Sequence, residues 1–206
     1  SVSVEAIVAL RPDLVISWSS GYGNAFNQKL VALGLNVYID DPKKMQDVEK
    51  SLKDFAIMSG YESRGESAVL AFQKTHNVLK QYSHLQPVTV FYQIWNDPIQ
   101  TLNNTHIIGD LIKLCGGVNS FGNSPAIAPK VNVESVVALN PDVIIASGVD
   151  QNRPQWLDNW LAWPIISAVK NEHLYYIPPD IIQRHTVRML QGAALMCEQI
   201  NAVRAH

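Results

Sequence analysis

Charge is scarce in this chain. Only 17% of its 206 residues are Asp, Glu, Lys or Arg, against roughly 25% in an average globular domain. The net charge is −2 and no run of Lys or Arg occurs, so the electrostatic footprint needed for nucleic acid or an anionic membrane surface is missing. Long apolar runs are missing too: none exceeds six residues, where a bilayer-spanning helix takes about 20. Ser1 opens directly onto a helical pattern without a secretory leader, as a mature or trimmed chain would.

The usual signatures of catalysis are also absent. There is no Gly-x-Ser-x-Gly, and Gly21-Tyr22-Gly23 lacks the spacing and the third glycine of a phosphate loop. His76, His84, His106, His173, His185 and His206 form no H-x-H or H-x-x-x-H pair and none neighbours a cysteine, which argues against a metal site. Asp97 and Asp150 are loop carboxylates of the kind that form turns. The expectation is a protein that is not an enzyme and has no cofactor. A cleft hydrolase stays as the remote alternative, recognisable by a Ser/Cys/His or two-carboxylate cluster. Cysteine is scarce as well. Cys115 and Cys197 each fall on an apolar helical stripe, so both thiols face inward, either as free packing residues or as a disulfide in an oxidising compartment. Spacing alone does not choose.

What the chain does have is a repeat. Val2 to Ser17 reads V-S-V-E-A-I-V-A-L-R-P-D-L-V-I-S, and 129 positions later Val131 to Ala146 reads V-N-V-E-S-V-V-A-L-N-P-D-V-I-I-A, with nine identities. In each copy a short apolar stripe predicts a helix, a proline stops it, and a bare apolar run predicts a buried strand. The separation is far beyond a solenoid period of 20 to 50 residues. It fits two similarly built α/β lobes with a ligand cleft between them, or convergence on one supersecondary unit.

Between the copies, Leu35–Ile39 predicts a strand, and 45–58 a helix with Val48, Leu52 and Phe55 on one face. The first lobe then shows only two strands, fewer than a stable open sheet wants, so N-terminal strands are expected to be missing or supplied elsewhere. Residues 62–85 carry Val69, Phe72, His76, Leu79 and Tyr82 at helical spacing. They predict one helix of about 36 Å, suited to a strut between lobes. The expected domains are a partial N-terminal lobe over 1–61, the connecting helix over 62–86 and a C-terminal lobe over 87–206. The second lobe reads as strand 88–92, loop 94–104, helix 105–115, the repeated unit to 146, helix 154–161, strand 174–177 and a helix from 186 onward.

Ligands of open α/β sheets bind at strand ends. The loops that qualify, 18–24, 94–100, 147–152 and 178–185, are aromatic and apolar with few charges. Trp18, Tyr22 and Trp95 directly follow strands, where a solvent-facing ring is costly unless it meets something large and flat. Each could instead cap the core of its own lobe. His185, beside Arg184, is the histidine placed to meet a ligand.

Four segments carry a family resemblance: E-A-I-V-A-L-R-P-D-L-V-I-S-W at 5–18, F-Y-Q-I-W-N-D-P-I-Q-T at 91–101, L-C-G-G-V-N at 114–119 and L-Y-Y-I-P-P-D-I-I-Q-R-H at 174–185. They resemble the periplasmic cobalamin-binding proteins, members of the helical-backbone class of ABC-transporter substrate-binding proteins that also includes siderophore and haem binders. The resemblance implies two α/β lobes joined by one long helix. It also implies a corrinoid or another large metal chelate as transported ligand, a periplasmic location, a monomer, and an inner-membrane ABC permease as partner. It implies that Trp18 packs on the corrin, that Ile181 and Ile182 fall where the family places aromatic contacts, and that Cys115 and Cys197 form a disulfide. The family's first-lobe glutamate for permease docking falls on Asn24. A haem or iron-siderophore ligand is the alternative within the class.

Overall fold

The computed structural model describes residues 3–18, 23–148 and 152–204. The chain separates into two compact units, Ser1–Pro42 and Lys43–His206. No described helix is long and apolar enough to cross a membrane.

The first unit is a βαβ unit preceded by a helix: α1 (Val4–Ala9), β1 (Val15–Ser17), α2 (Asn24–Ala32) and β2 (Val37–Ile39). The two strands are parallel, with Val15 opposite Val37 and Ser17 opposite Ile39. Ser17 Oγ donates to Asn27 Oδ1 and fixes α2 to β1, while Leu30 is fully buried. The apolar run at 14–16 predicts a buried strand, and here the structure corrects the reading. Ser17 faces α2, so by strand alternation Ile16 points the other way and is 54% exposed.

The second unit begins with α3 (Met45–Ser59) and α4 (Glu62–Leu79), followed by a 3₁₀ turn over Lys80–His84. The helix expected over 62–85 is thus 18 residues of α-helix, about 27 Å, tightened at its end into 3₁₀ geometry ahead of Pro87. Its stripe is as expected, with Val69, Phe72, His76 and Leu79 buried. Then come β3 (Val88–Asn96), β4 (Ile99–Thr101), α5 (Ile107–Leu114), β5 (Gly117–Asn119), α6 (Val133–Leu139) and β6 (Val143–Ala146). A 3₁₀ helix over Gln155–Ala162 replaces the α-helix expected over 154–161, and α7 (Ser167–Lys170), β7 (Leu174–Tyr176), α8 (Pro179–Ile182) and α9 (Met189–Val203) complete the unit. The segment 94–104, expected as loop, is mostly a hairpin: β3 runs on to Asn96 and β4 pairs with it antiparallel.

The sheet order is β4-β3-β6-β7, with β5 also beside β3, and all pairings but β3–β4 are parallel. Strand alternation sends Val90, Tyr92, Val143 and Ile145 into one layer, packed on α3, α4, α5, α8 and α9. It sends Phe91, Ile144 and Ala146 into the other, packed on α6, α7 and the Gln155–Ala162 helix. Every residue of β6 is buried, as a parallel strand covered on both faces requires.

The repeat is real at the level of backbone geometry. Ser3 Oγ caps α1 by accepting from the Ala6 amide, and Asn132 Oδ1 caps α6 by accepting from Ser135. Past the two helices, Arg11 and Asn140 both take positive φ, 47° and 43°.

Two covalent and steric constraints lock the second unit. Cys115, at the C-cap of α5, is disulfide-bonded to Cys197 of α9 across 82 residues of chain, and both sulfurs are fully buried. No thiol should therefore titrate in the unfolded, unreduced protein. Replacing both cysteines by alanine should cost up to about 4–5 kcal/mol in denaturant unfolding; two titratable thiols would contradict the bond. Gly65 of α4 faces Ala56 of α3 so closely that an added Cβ would lie 2.1 Å from the Ala56 Cβ. Gly65→Ala should destabilise by about 1–3 kcal/mol, and Ala56→Gly in the same chain should restore most of that loss, as thermal unfolding of the three variants would show.

Candidate functional site

In the second unit the carboxyl ends of β3, β6 and β7 bring three loops to one edge of the sheet, over residues 94–98, 147–148 and 177–186. Trp95 stands at the end of β3, 40% exposed, and its Nε1–H donates to the Asp97 carbonyl at 2.8 Å. Beneath it Gln93 is buried: Nε2 donates to the Trp95 carbonyl at 3.0 Å and Oε1 accepts from Trp160 Nε1 at 2.7 Å. The exit of β6 is tied to α8, because Gln183 Nε2 donates to the Ser147 carbonyl at 2.6 Å and reaches Ser147 Oγ and the Gly148 carbonyl at 3.2 and 3.3 Å.

The other expected site residues divide. Ile181 is half-buried at the margin of the core, whereas Ile182 is fully buried within it, close against Gly192 of α9. Ile182 therefore offers no surface. Arg184 forms an ion pair with Asp180 at 2.6 Å, both side chains well exposed, which leaves the loops with little net positive charge. His185 approaches His106, ring centroids 6.0 Å apart, and His106 Nδ1 accepts from the Ile108 amide at the start of α5. Trp18 belongs to the first unit, half-exposed, with Nε1 donating to Asp41 Oδ1 at 2.8 Å. Tyr22 lies outside the described residues.

Ser147 is fully buried and its hydroxyl accepts from Gln183 Nε2, which leaves that hydroxyl without access to a ligand. Among the described residues no group of three or more His, Cys, Asp or Glu could hold a metal ion. His76 is the packed histidine its position predicts: it is buried against Phe72, and burial holds its pKa below the ordinary value. The buried amide of Gln93 was not singled out by sequence reasoning. A signal existed, since an amide side chain inside the apolar run V-F-Y-Q-I-W implies a satisfied internal hydrogen bond.

Residues 1–181 match the family model described as periplasmic binding protein. The vitamin B12-binding protein of Vibrio cholerae serotype O1 is 31% identical over 199 residues, 96% of this chain and 71% of that protein. Its namesake from Yersinia pestis is 30% identical over 207 residues, 98% and 70% respectively. Among solved structures, the periplasmic vitamin B12 binding protein of Vibrio cholerae matches with a TM-score of 0.91 at 29% identity, covering all of this chain and 80% of that one. The periplasmic heme-binding protein RhuT of a Roseiflexus species matches at 0.81 and 17% identity, over 98% and 81%, which shows a shared fold.

Tyr92, two positions before Ile94 on β3, adds a buried hydroxyl without a well-formed hydrogen bond. Burial raises its pKa above the ordinary value of 10, with Ser147 and Gln183 pulling it partly back. The unfolded chain releases this proton near pH 10 while the folded chain keeps it. The contribution to stability is therefore full below pH 10 and is lost as pH rises toward the folded value. Tyr92→Phe should be close to neutral at about pH 8 and should flatten the decline in stability above about pH 10. Denaturation midpoints across that range would show it, and an unchanged alkaline slope would contradict it.

Proposed function

The chain belongs to the periplasmic binding protein family, and from that footing we propose that it is the substrate-binding component of an ABC importer. It takes up cobalamin or a related corrinoid in the periplasm and delivers it to an inner-membrane permease. Its ligand is cargo rather than a cofactor, and the protein performs no chemistry on it.

The observation that carries this reading is Trp95. A half-exposed indole fixed at the carboxyl end of the central strand of the sheet is costly in water and suited to a flat, apolar ring system. The high similarity to vitamin B12-binding proteins along nearly the whole chain supports the corrinoid over other chelates. The local electrostatics agree: Arg184 is already paired with Asp180, so an anionic siderophore would find little free positive charge here. On this reading the ligand contacts are Trp18, Tyr22, Trp95, Ile181, Arg184 and His185, and affinity comes from preformed surfaces that need little rearrangement on binding.

Burying one indole face against a corrin is worth on the order of 2 kcal/mol, so Trp18→Ala and Trp95→Ala should each weaken cyanocobalamin binding about thirtyfold. Salt should change affinity little. Calorimetry at low and high ionic strength, with haemin and a ferric siderophore as competitors, checks this. Equal affinities for wild type and both variants, or preference for the siderophore with steep salt dependence, would overturn the corrinoid reading.

A further inference from the structure

The register of β3 breaks where its side chains matter most. Gln93 lies opposite Thr101 of β4, yet Trp95 lies opposite Gln100, so two steps on β3 are matched by one on β4. Such a bulge takes groups out of the ladder and re-aims the side chains that follow. Left alone, the irregular strand end would be soft, since the hairpin beyond it is only three residues of β4.

Gln93 fills the gap from below. Its side chain is buried, and both ends of the amide are used: Nε2 on the Trp95 carbonyl and Oε1 on Trp160 Nε1. Its backbone carbonyl takes a further bond from the Ser147 amide at 2.9 Å, tying the bulge to the exit of β6. Trp160 is itself immobilised, with its ring edge-on to Phe91 at 5.6 Å in the core layer under the sheet. Trp95 is thus held at two points, by Gln93 on its carbonyl and by the Asp97 carbonyl on its indole N–H. A buried amide costs stability unless satisfied, and an apolar residue would pack position 93 without that cost. The geometry of the amide answers a different need, that of orienting its neighbour.

We propose that Gln93 is the positioning residue for Trp95, a buried amide bracket that fixes the bulge and so sets the angle at which the indole face meets a flat macrocyclic chelate. The ligand part of this proposal rests on the corrinoid reading above; the orientation of Trp95 does not. Preorganising the indole matters because ordering a large side chain at the moment of binding costs affinity.

Gln93→Met keeps length and approximate volume while removing both hydrogen bonds. In the ligand-free protein, the Trp95 indole N–H resonance, identified among the five tryptophans by its loss in Trp95→Phe, should shift or broaden in Gln93→Met. Cyanocobalamin affinity should fall by a factor approaching the roughly thirtyfold of Trp95→Ala, and the double variant should bind no worse than Trp95→Ala alone, because coupled groups do not add. Should Gln93→Met fail to fold, Trp160→Phe cuts the bracket from its far end and should move the same resonance less. An unmoved Trp95 resonance in a folded variant, or losses that multiply in the double variant, would overturn the proposal. If wild type binds no cyanocobalamin, the corrinoid reading falls, and the ligand-free resonance still decides whether Gln93 orients Trp95.

Discussion

Everything in the second unit follows from a sheet that must be dry on both sides. Each residue of β6 is buried, and β3 sends Val90 and Tyr92 into one layer and Phe91 into the other. Faces that apolar demand helices above and below, and helices above and below leave only the strand ends open to solvent. The site is therefore confined to loops, and its precision has to come from what the sheet can hand up to them. Gln93 and Gln183 are those connections: one reaches from the strand interior to Trp95, the other reaches from the end of α8 to the exit of β6.

The duplicated segment shows how one local solution serves two surroundings. Both copies share an N-cap at Ser3 or Asn132 and a left-handed residue at Arg11 or Asn140. Asn tolerates that conformation more readily than Arg does, so the second copy is the better matched to its own turn. In the second copy Asp142 also accepts from the Thr89 amide and hydroxyl, seating β6 beside β3. The strands then diverge, Ile145 being fully buried where its counterpart Ile16 is half-exposed. Identical patterning fixes the turn and the strand; neighbours fix the burial.

Long, periodic elements were legible in the sequence and short ones were not. The helix at 45–59 declares itself through Val48, Leu52 and Phe55 and stops at Gly60 in a left-handed cap. By contrast β5 is Gly-Val-Asn, β4 is Ile-Gln-Thr and α8 is a single turn that starts on the second of two prolines. Segments so short have no period to read, and long-range pairing alone defines them. The site follows the same division. Trp95 could be picked out because the apolar run of β3 leads up to it, even though the strand runs on to Asn96, and the disulfide pairing came with the family resemblance. Ile182 could not be sorted from Ile181, because burial on a four-residue helix depends on a glycine of α9 ten positions further on. Nor could Gln93 be linked to Trp160, since 67 residues separate them and nothing local records the pairing.

The disulfide has a consequence for how the protein withstands a break in its backbone. The loop it closes contains β5, α6, β6 and β7, the helices packed on Phe91 and Ile144, and two of the three strand-end loops. A protease cut anywhere in that stretch leaves two pieces that stay one covalent molecule. The Arg204 guanidinium further secures the junction by donating to the carbonyls of Gln86, Cys115 and Gly116. The effective concentration of the severed halves remains high, so a nicked chain can keep its sheet assembled, and damage is tolerated where exposed loops invite it.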